Sequence, residues 1–206
     1  MADKKNLLGY SLIELEKFFH DINEPSFRAK QLLKWVHQKG ELDFDRMSNF
    51  NKDLRIKMKE IAVLIPPKLK KVLVSEDGTK KYLIQLDSGS SIEMVRIPEK
   101  KRITLCISSQ AGCALQCTFC ATGAQGFEKN LSADEIIGQL WLANFHDNKD
   151  APITNVVFMG MGEPLLNFEP VITSAEIMRN EFAYFLSKKR ITISTSGLIP
   201  QINKLA

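Results

Sequence analysis

The segment Cys113-Ala-Leu-Gln-Cys117-Thr-Phe-Cys120 places three thiols within eight residues. Spaced four and then three apart, they can converge on one small inorganic centre. Their number separates the candidate centres. A closed structural zinc site takes four protein ligands. No second Cys-x-x-Cys and no His-x-x-x-His supplies a fourth, and His20, His37 and His146 all lie far from the triplet in sequence. A [4Fe–4S] cluster held by only three thiolates keeps one iron open to a ligand from outside the protein, where full protein ligation uses four. A single cysteine is ordinarily core packing, but three together beside Gly112 and Gly123 argue for a metal. Zinc is the competing reading, and iron–sulfur is the stronger one.

Three further stretches could contribute chemistry. In Gly160-Met-Gly162-Glu163-Pro164 the glycines permit close backbone approach, and the Glu163 carboxylate can accept from a ligand amino group as a charge-assisted pair; taken alone, such a stretch is more often a turn. Ser194-Thr-Ser-Gly197 sets hydroxyls at a strand end beside a helix start, where carboxylate or ribose can bind, although an ordinary N-cap reads the same. Cys106, seven residues before Cys113, is a strand cysteine of a usually inert kind, but its closeness to the triplet makes it a redox candidate. Phe119 suits a stacking ligand and a core position equally well.

The elements that must position these residues follow from periodicity. Ser11-Leu-Ile-Glu14 has the form of a capping box ahead of Leu12, Leu15, Phe18, Phe19 and Ile22 at helical spacing. A second helix is expected from Pro25 to Gly40, and a third from Asn51 to about Ile61, ending before Pro66-Pro67. On that third helix Lys52, Arg55, Lys57 and Lys59 alternate with Leu54, Ile56 and Met58, a basic face for RNA or for solvent. Leu69–Val74, Tyr82–Leu86 and Ile92–Ile97 read as an antiparallel meander around turns at Asp77-Gly78 and Ser88-Gly89. From Arg102 the pattern becomes strand (103–107), cysteine loop, helix (132–145), strand (153–158), helix (168–185), strand (190–194), helix, which is the pattern of a parallel α/β domain. Ligands in such sheets and barrels sit in loops after the carboxyl ends of the strands, and the three loops there hold the unusual residues. The expected division is therefore a small helical, basic, RNA-binding-type domain (1–67), an antiparallel β linker (68–100) and the first part of an α/β barrel (101–206). Three parallel strands do not close a barrel, so the chain reads as truncated, and residues 101–206 are not expected to fold well alone with strand edges bare.

The totals set limits. A composition of 44% hydrophobic and 25% charged residues is that of an ordinary globular protein, apolar runs fall short of a membrane span, and no signal-type segment opens the chain. Four cysteines, all between 106 and 120, suit a reducing cytoplasm and a metal rather than a disulfide framework. Residues 1–81 carry 17 Lys and Arg against 12 Asp and Glu, and residues 82–206 carry 11 against 12. A basic front end is compatible with a polyanion such as nucleic acid, and equally with a soluble face.

The cysteine triplet with an aromatic before its last member resembles the signature of the radical S-adenosylmethionine (SAM) enzymes. Together with Glu93-Met-Val-Arg-Ile-Pro, Cys106-Ile-Ser-Ser-Gln-Ala-Gly, Gly-Met-Gly-Glu-Pro-Leu-Leu-Asn167 and Ile-Thr-Ile-Ser-Thr-Ser-Gly197, the chain from near residue 10 onward resembles the RNA adenine C2-methyltransferases of that class. The resemblance implies a truncated radical-SAM βα barrel behind a helical domain that helps bind RNA. It implies a [4Fe–4S] cluster on Cys113, Cys117 and Cys120, SAM contacts from Gly162, Glu163 and Ser194, and substrates in 23S rRNA and tRNA. In the implied mechanism one SAM methylates a cysteine near the C-terminus, and a second, cleaved by an electron from the cluster, gives the 5′-deoxyadenosyl radical that takes hydrogen from the S-methyl group. The resulting methylene radical adds to C2 of the adenine. Glu93 matches the proton acceptor, and Cys106 matches the cysteine that closes a disulfide to release product. A low-potential electron donor such as flavodoxin fits the same resemblance, and the expected cytoplasmic location and lack of a membrane partner rest on the cysteine usage and apolar run lengths above.

One departure matters. No cysteine follows Cys120, so the chain as written lacks the methyl-accepting thiol and is expected to be inactive alone. Two other readings stay open. The first is the related rRNA adenine C8-methyltransferase, separable by product analysis. The second is a non-catalytic RNA-binding module with a structural metal, separable by metal analysis.

Overall fold

A computed structural model describes residues 4–115, 117–146 and 151–205. Helix α1 (Leu12–Asp21) begins at the expected capping box: Ser11 N donates to Glu14 Oε2 at 2.7 Å, and Glu14 N to Ser11 Oγ at 3.3 Å. Helix α2 (Phe27–Leu33) runs into a π turn over Lys34–Gln38. Helix α3 (Lys52–Ile61) is capped by Asn51, whose Oδ1 accepts from Leu54 N. The three helices close on Leu15, Phe19, Phe50, Leu54 and Met58, each no more than 1% exposed. A two-residue parallel pairing of β1 (Lys5–Asn6) with β2 (Ala62–Val63) ties the two ends of this unit together.

The cations of α3 are neither free for a ligand nor simply solvated. Arg55 donates to the carbonyls of Phe50 (2.8 Å) and Asp45 (3.0 Å), Lys57 to that of Ile22 (2.6 Å), and Lys59 pairs with Asp45 Oδ2 at 2.7 Å. They staple the helix to neighbouring loops, and of the four only Lys52 makes no such bond among the described residues.

The meander and the parallel strands form one sheet. β3 (Lys68–Val74), β4 (Lys80–Gln85), β5 (Ser91–Pro98) and β6 (Ile103–Cys106) pair antiparallel in sequence order. Beyond β6 come a ribbon of β7 (Gln110–Gly112) and β8 (Phe127–Asn130) with α4 (Ala121–Gln125) between them, then α5 (Ala133–Phe145), β9 (Asn155–Phe158), α6 (Phe168–Arg179), β10 (Ile191–Ile193) and α7 (Ile199–Leu205). β9 pairs parallel to β6, and β10 parallel to β9, giving the order β10-β9-β6-β5-β4-β3. Strand alternation puts Tyr82, Ile84, Ile92, Met94, Leu105, Val156 and Phe158 on the buried, helix-covered face. Glu93, Val95, Cys106 and Val157 stand on the other.

Helix α5 is buried along eight consecutive residues, Ile136–Ala143, because it lies between the sheet and the N-terminal helices, where Trp141 Nε1 donates to Val36 O at 3.0 Å. Helix α6 stops at Arg179, short of the expected Phe185. Asn180 turns extended (φ −61°, ψ 133°) and its Oδ1 accepts from Phe182 N, a side-chain-to-backbone bond that competes with further helix. The segment then folds back, with Phe185 at φ 53°, and Tyr184 OH comes within 3.1 Å of His37 Nδ1.

That contact carries a prediction. Burial lowers His37 to about 3, against a smaller raising effect from its hydrogen bond to the Leu8 main chain. Burial also raises the Tyr184 phenol well above its ordinary value, so the phenol stays protonated. A folded pKa below the unfolded one means that the unfolded chain binds the extra proton. His37 should therefore cost no stability above about pH 6.5 and progressively more as pH falls toward 3, by an amount on the order of a few kcal/mol. Denaturant melts across that window should show the slope in wild type and a flatter one in His37→Gln.

Candidate active site

The cysteine loop leaves the carboxyl end of β6 and is shaped by tight main-chain bonds: Cys113 N donates to Gly126 O (2.9 Å), Cys117 N to Leu115 O (2.9 Å) and Cys120 N to Cys117 O (3.0 Å). Gln116, inside the triplet segment, lies outside the described residues. The β7–β8 ribbon brackets the loop and needs glycine at 112, where φ is +71° and a Cβ would lie 1.9 Å from Gly126 O. All four cysteines are free thiols, Cys113 buried and Cys106, Cys117 and Cys120 partly so.

Cys113, Cys117, Cys120, Gly162, Glu163 and Ser194 line one cavity of about 350 Å³. It lies where the sequence pattern puts a ligand, in the loops after β6, β9 and β10. Phe119 stands at its edge, 91% exposed, so the core alternative for this ring does not hold. Glu163 is buried, and its carboxylate already bridges two loops: Oε1 accepts from Leu165 N (3.0 Å) and Oε2 from Ser196 N (2.8 Å). Each carboxylate oxygen has a second lone pair, which leaves acceptor capacity toward the cavity. The glycines of the same loop answer first to the protein: a Cβ at Gly162 (φ +95°) would fall 2.4 Å from Gln110 Cβ.

Glu93 and Cys106 do not line that cavity. They stand next to it, on the open face of the sheet. Cys106 lies opposite Val95 in the β5–β6 register. Burial raises its thiol above the ordinary value, partly offset by a hydrogen bond from the Met159 main chain, and Met159 lines the cavity. Glu93 is two residues from Val95 on the same face, beside the end of β6, where Ser108 Oγ donates to Glu93 O at 2.6 Å.

Sequence reasoning missed the residues that lock these loops together. Gln139 on α5 pairs with both main-chain groups of Ser108, at 2.9 Å each. Ser108 Oγ accepts from Met161 N (2.8 Å), and Gln110 Oε1 accepts from Glu163 N (2.9 Å). Asn167 Nδ2 donates to the carbonyls of Ser109 and Leu131. Ser108, Gln110, Gln139 and Asn167 are each no more than 3% exposed. The polar run Ser108-Ser109-Gln110 straight after an apolar strand is a signal that could have found part of this lock; Gln139 and Asn167 carry no such local mark.

Residues 5–64 match the family model described as the ribosomal RNA large subunit methyltransferase N-terminal domain, and residues 107–206 match the radical SAM superfamily. A protein of Marinobacter nauticus named dual-specificity RNA methyltransferase RlmN is 50% identical over 99% of this chain and 56% of its own length. Its namesake from Pseudomonas fluorescens is 52% identical over 98% and 54%. The chain belongs to the RlmN family of radical SAM proteins. A crystal structure of a radical SAM methyltransferase from Sphaerobacter thermophilus superposes with a TM-score of 0.89 at 35% identity, covering 98% of this chain and 60% of that one. The RlmN family membership and the partial radical SAM fold expected from the motifs are thus both borne out. The chain spans about half the length of the curated RlmN relatives it matches. A [4Fe–4S] cluster and SAM are the cofactors that membership in the RlmN family brings.

Proposed function

We propose that this chain carries the cluster site, SAM contacts and part of the RNA site of a methyltransferase acting on C2 of adenine in 23S rRNA and in tRNA, through a methyl-cysteine intermediate and two SAM molecules per turnover. The observation that carries the reading is the grouping of three free thiols, Glu163 and Ser194 around one cavity at the strand ends, with Cys106 and Glu93 on the adjoining sheet face.

The donor set suits an iron–sulfur cluster. Three free thiols face one cavity, and cysteine thiolates are the ligands that hold iron–sulfur clusters. Cys113, Cys117 and Cys120 would hold the cluster; Gly162, Glu163 and Ser194 would hold SAM. When bound, the two supply one-electron cleavage of SAM to a 5′-deoxyadenosyl radical. Glu163 orients the amino group of SAM through its remaining lone pairs. Glu93 takes the proton lost from the modified base. Cys106, a thiol whose pKa burial raises, gives up its proton and attacks the sulfur of the methyl-carrying cysteine while that sulfur is still joined to C2 through its methylene. The S–S bond forms as the S–CH2 bond breaks, and the electron pair left on the methylene takes a proton to become the product methyl. No cysteine follows Cys120 in this sequence, so the methyl-carrying thiol would have to come from outside it. The target adenine must leave its stack to reach the sheet face. A low-potential donor such as flavodoxin and a cytoplasmic location complete the reading. Among the described residues no helix is long and apolar enough to cross a membrane.

Deleting the gene and digesting total rRNA and tRNA to nucleosides should remove 2-methyladenosine from both, as read by mass spectrometry. Loss of 8-methyladenosine instead would assign the related C8 chemistry, and an unchanged profile would sink the methyltransferase reading.

A further inference from the structure

The excess positive charge of residues 1–81 has to be displayed somewhere, and α3 has spent three of its four cations on its own loops. The β3–β4 hairpin displays it instead. Lys68, Lys70, Lys71 and Lys81 are all exposed there. The register pairs Lys71 with Leu83, Leu73 with Lys81, and Leu83 with Glu93. Lys71, Leu73, Lys81 and Leu83 therefore share the sheet face that carries Glu93 and Cys106. With Glu93 the four enclose a second cavity, of about 220 Å³.

Three features of that cavity point to one kind of ligand. Lys81 Nζ lies 2.8 Å from Glu93 Oε1, with both side chains nearly half exposed. Lys71 makes no ion pair or hydrogen bond among the described residues, so two cations face one carboxylate and the cavity carries net positive charge. Leu73 is 52% and Leu83 37% exposed, giving apolar surface between the cations. Lys71 and Glu93 stand two strands apart in one cross-strand row, roughly 10 Å, about the span of one nucleotide.

We propose that this hairpin face grips the RNA backbone, with Lys71 and Lys81 taking phosphates that flank the target adenine and Leu73 and Leu83 meeting its ribose and base edges. The inference rests on the RNA methyltransferase reading above. A phosphate that takes Lys81 releases Glu93 from its ion pair, so arrival of the RNA frees the carboxylate assigned to the proton. A positively charged groove is what tracks the backbone of a single strand.

The test is binding, not turnover. An unmodified tRNA transcript labelled with fluorescein is titrated with the 206-residue chain by anisotropy at several salt concentrations, for wild type, K71Q/K81Q, K71R/K81R and K52Q on α3. Each lost phosphate contact flattens the slope of log K against log salt by about 0.7–0.9. K71Q/K81Q should therefore flatten it by roughly 1.5 and weaken low-salt binding roughly tenfold, while K71R/K81R and K52Q keep the wild-type slope. Circular dichroism melts establish that each variant is folded. A folded K71Q/K81Q with wild-type slope and affinity overturns the hairpin assignment alone. Absence of tRNA binding by the wild-type chain at low salt overturns both the assignment and the RNA reading beneath it.

Discussion

Gly162→Ala should cost the chain about 3–5 kcal/mol, from a left-handed φ forced on a Cβ-bearing residue and from overpacking against Gln110. The added methyl would fall 2.4 Å from Gln110 Cβ and 2.8 Å from its main-chain N. Neither can move freely, because Gln110 N donates to Met161 O and Gln110 Oε1 accepts from Glu163 N. For a chain of this length the loss corresponds to a melting temperature lower by roughly 10 °C. The damage should also reach the cavity, since the same loop delivers Glu163 to Leu165 and Ser196. Gly197→Ala is the control: a Cβ there meets nothing within 4 Å, leaving only the strain of φ +106°. A variant at 162 that melts like wild type would show the loop free to move off the cysteine strand, contrary to the packing described.

The second large effect is on metal content. Cys113→Ala, Cys117→Ala and Cys120→Ala, each purified without oxygen and reconstituted with iron and sulfide, should retain only background iron. Two thiolates cannot hold a cluster that already has one iron without a protein ligand. Cys106→Ala should keep the full complement, since its thiol lies on the neighbouring strand, outside the cavity that the other three line. Equal loss in all four variants would put Cys106 among the ligands. No loss in any of them would remove the cluster from this loop. The measurement is a colorimetric assay of iron and acid-labile sulfide, which does not depend on turnover.

What could be read from the sequence was local chemistry. The cysteine triplet, the Gly-Met-Gly-Glu-Pro turn, the capping box at Ser11 and each strand or helix of the alternation after Arg102 are written within a dozen or so residues, and each reappears in the fold. What could not be read depends on partners distant in the chain. Gln139 and Ser108 are 31 residues apart, and Asn167 and Ser109 are 58 apart. Nothing in a glutamine on a helix announces that it will pair like a strand with a loop. The β7–β8 ribbon escaped notice because Gln-Ala-Gly and Phe-Glu-Lys-Asn carry no alternation of polar and apolar residues. The basic pattern on α3 was visible, but not that Arg55, Lys57 and Lys59 would bond to nearby carbonyls and an aspartate, because lysine and arginine stems reach across several residues of neighbouring loop. The same limitation hid how Glu163 is used. Its carboxylate was legible as an acceptor, but its second task, joining the loops after β9 and β10, appears only in three dimensions.

The central claim is that Cys113, Cys117 and Cys120 hold a four-iron cluster with one iron left for SAM. Electron paramagnetic resonance of the anaerobically reconstituted and reduced chain, recorded before and after adding SAM, tests it most directly. About four irons and four sulfides per chain are expected, with a reduced-cluster signal whose shape changes when SAM reaches the open iron. Bound zinc without sulfide, or a cluster signal indifferent to SAM, would contradict it.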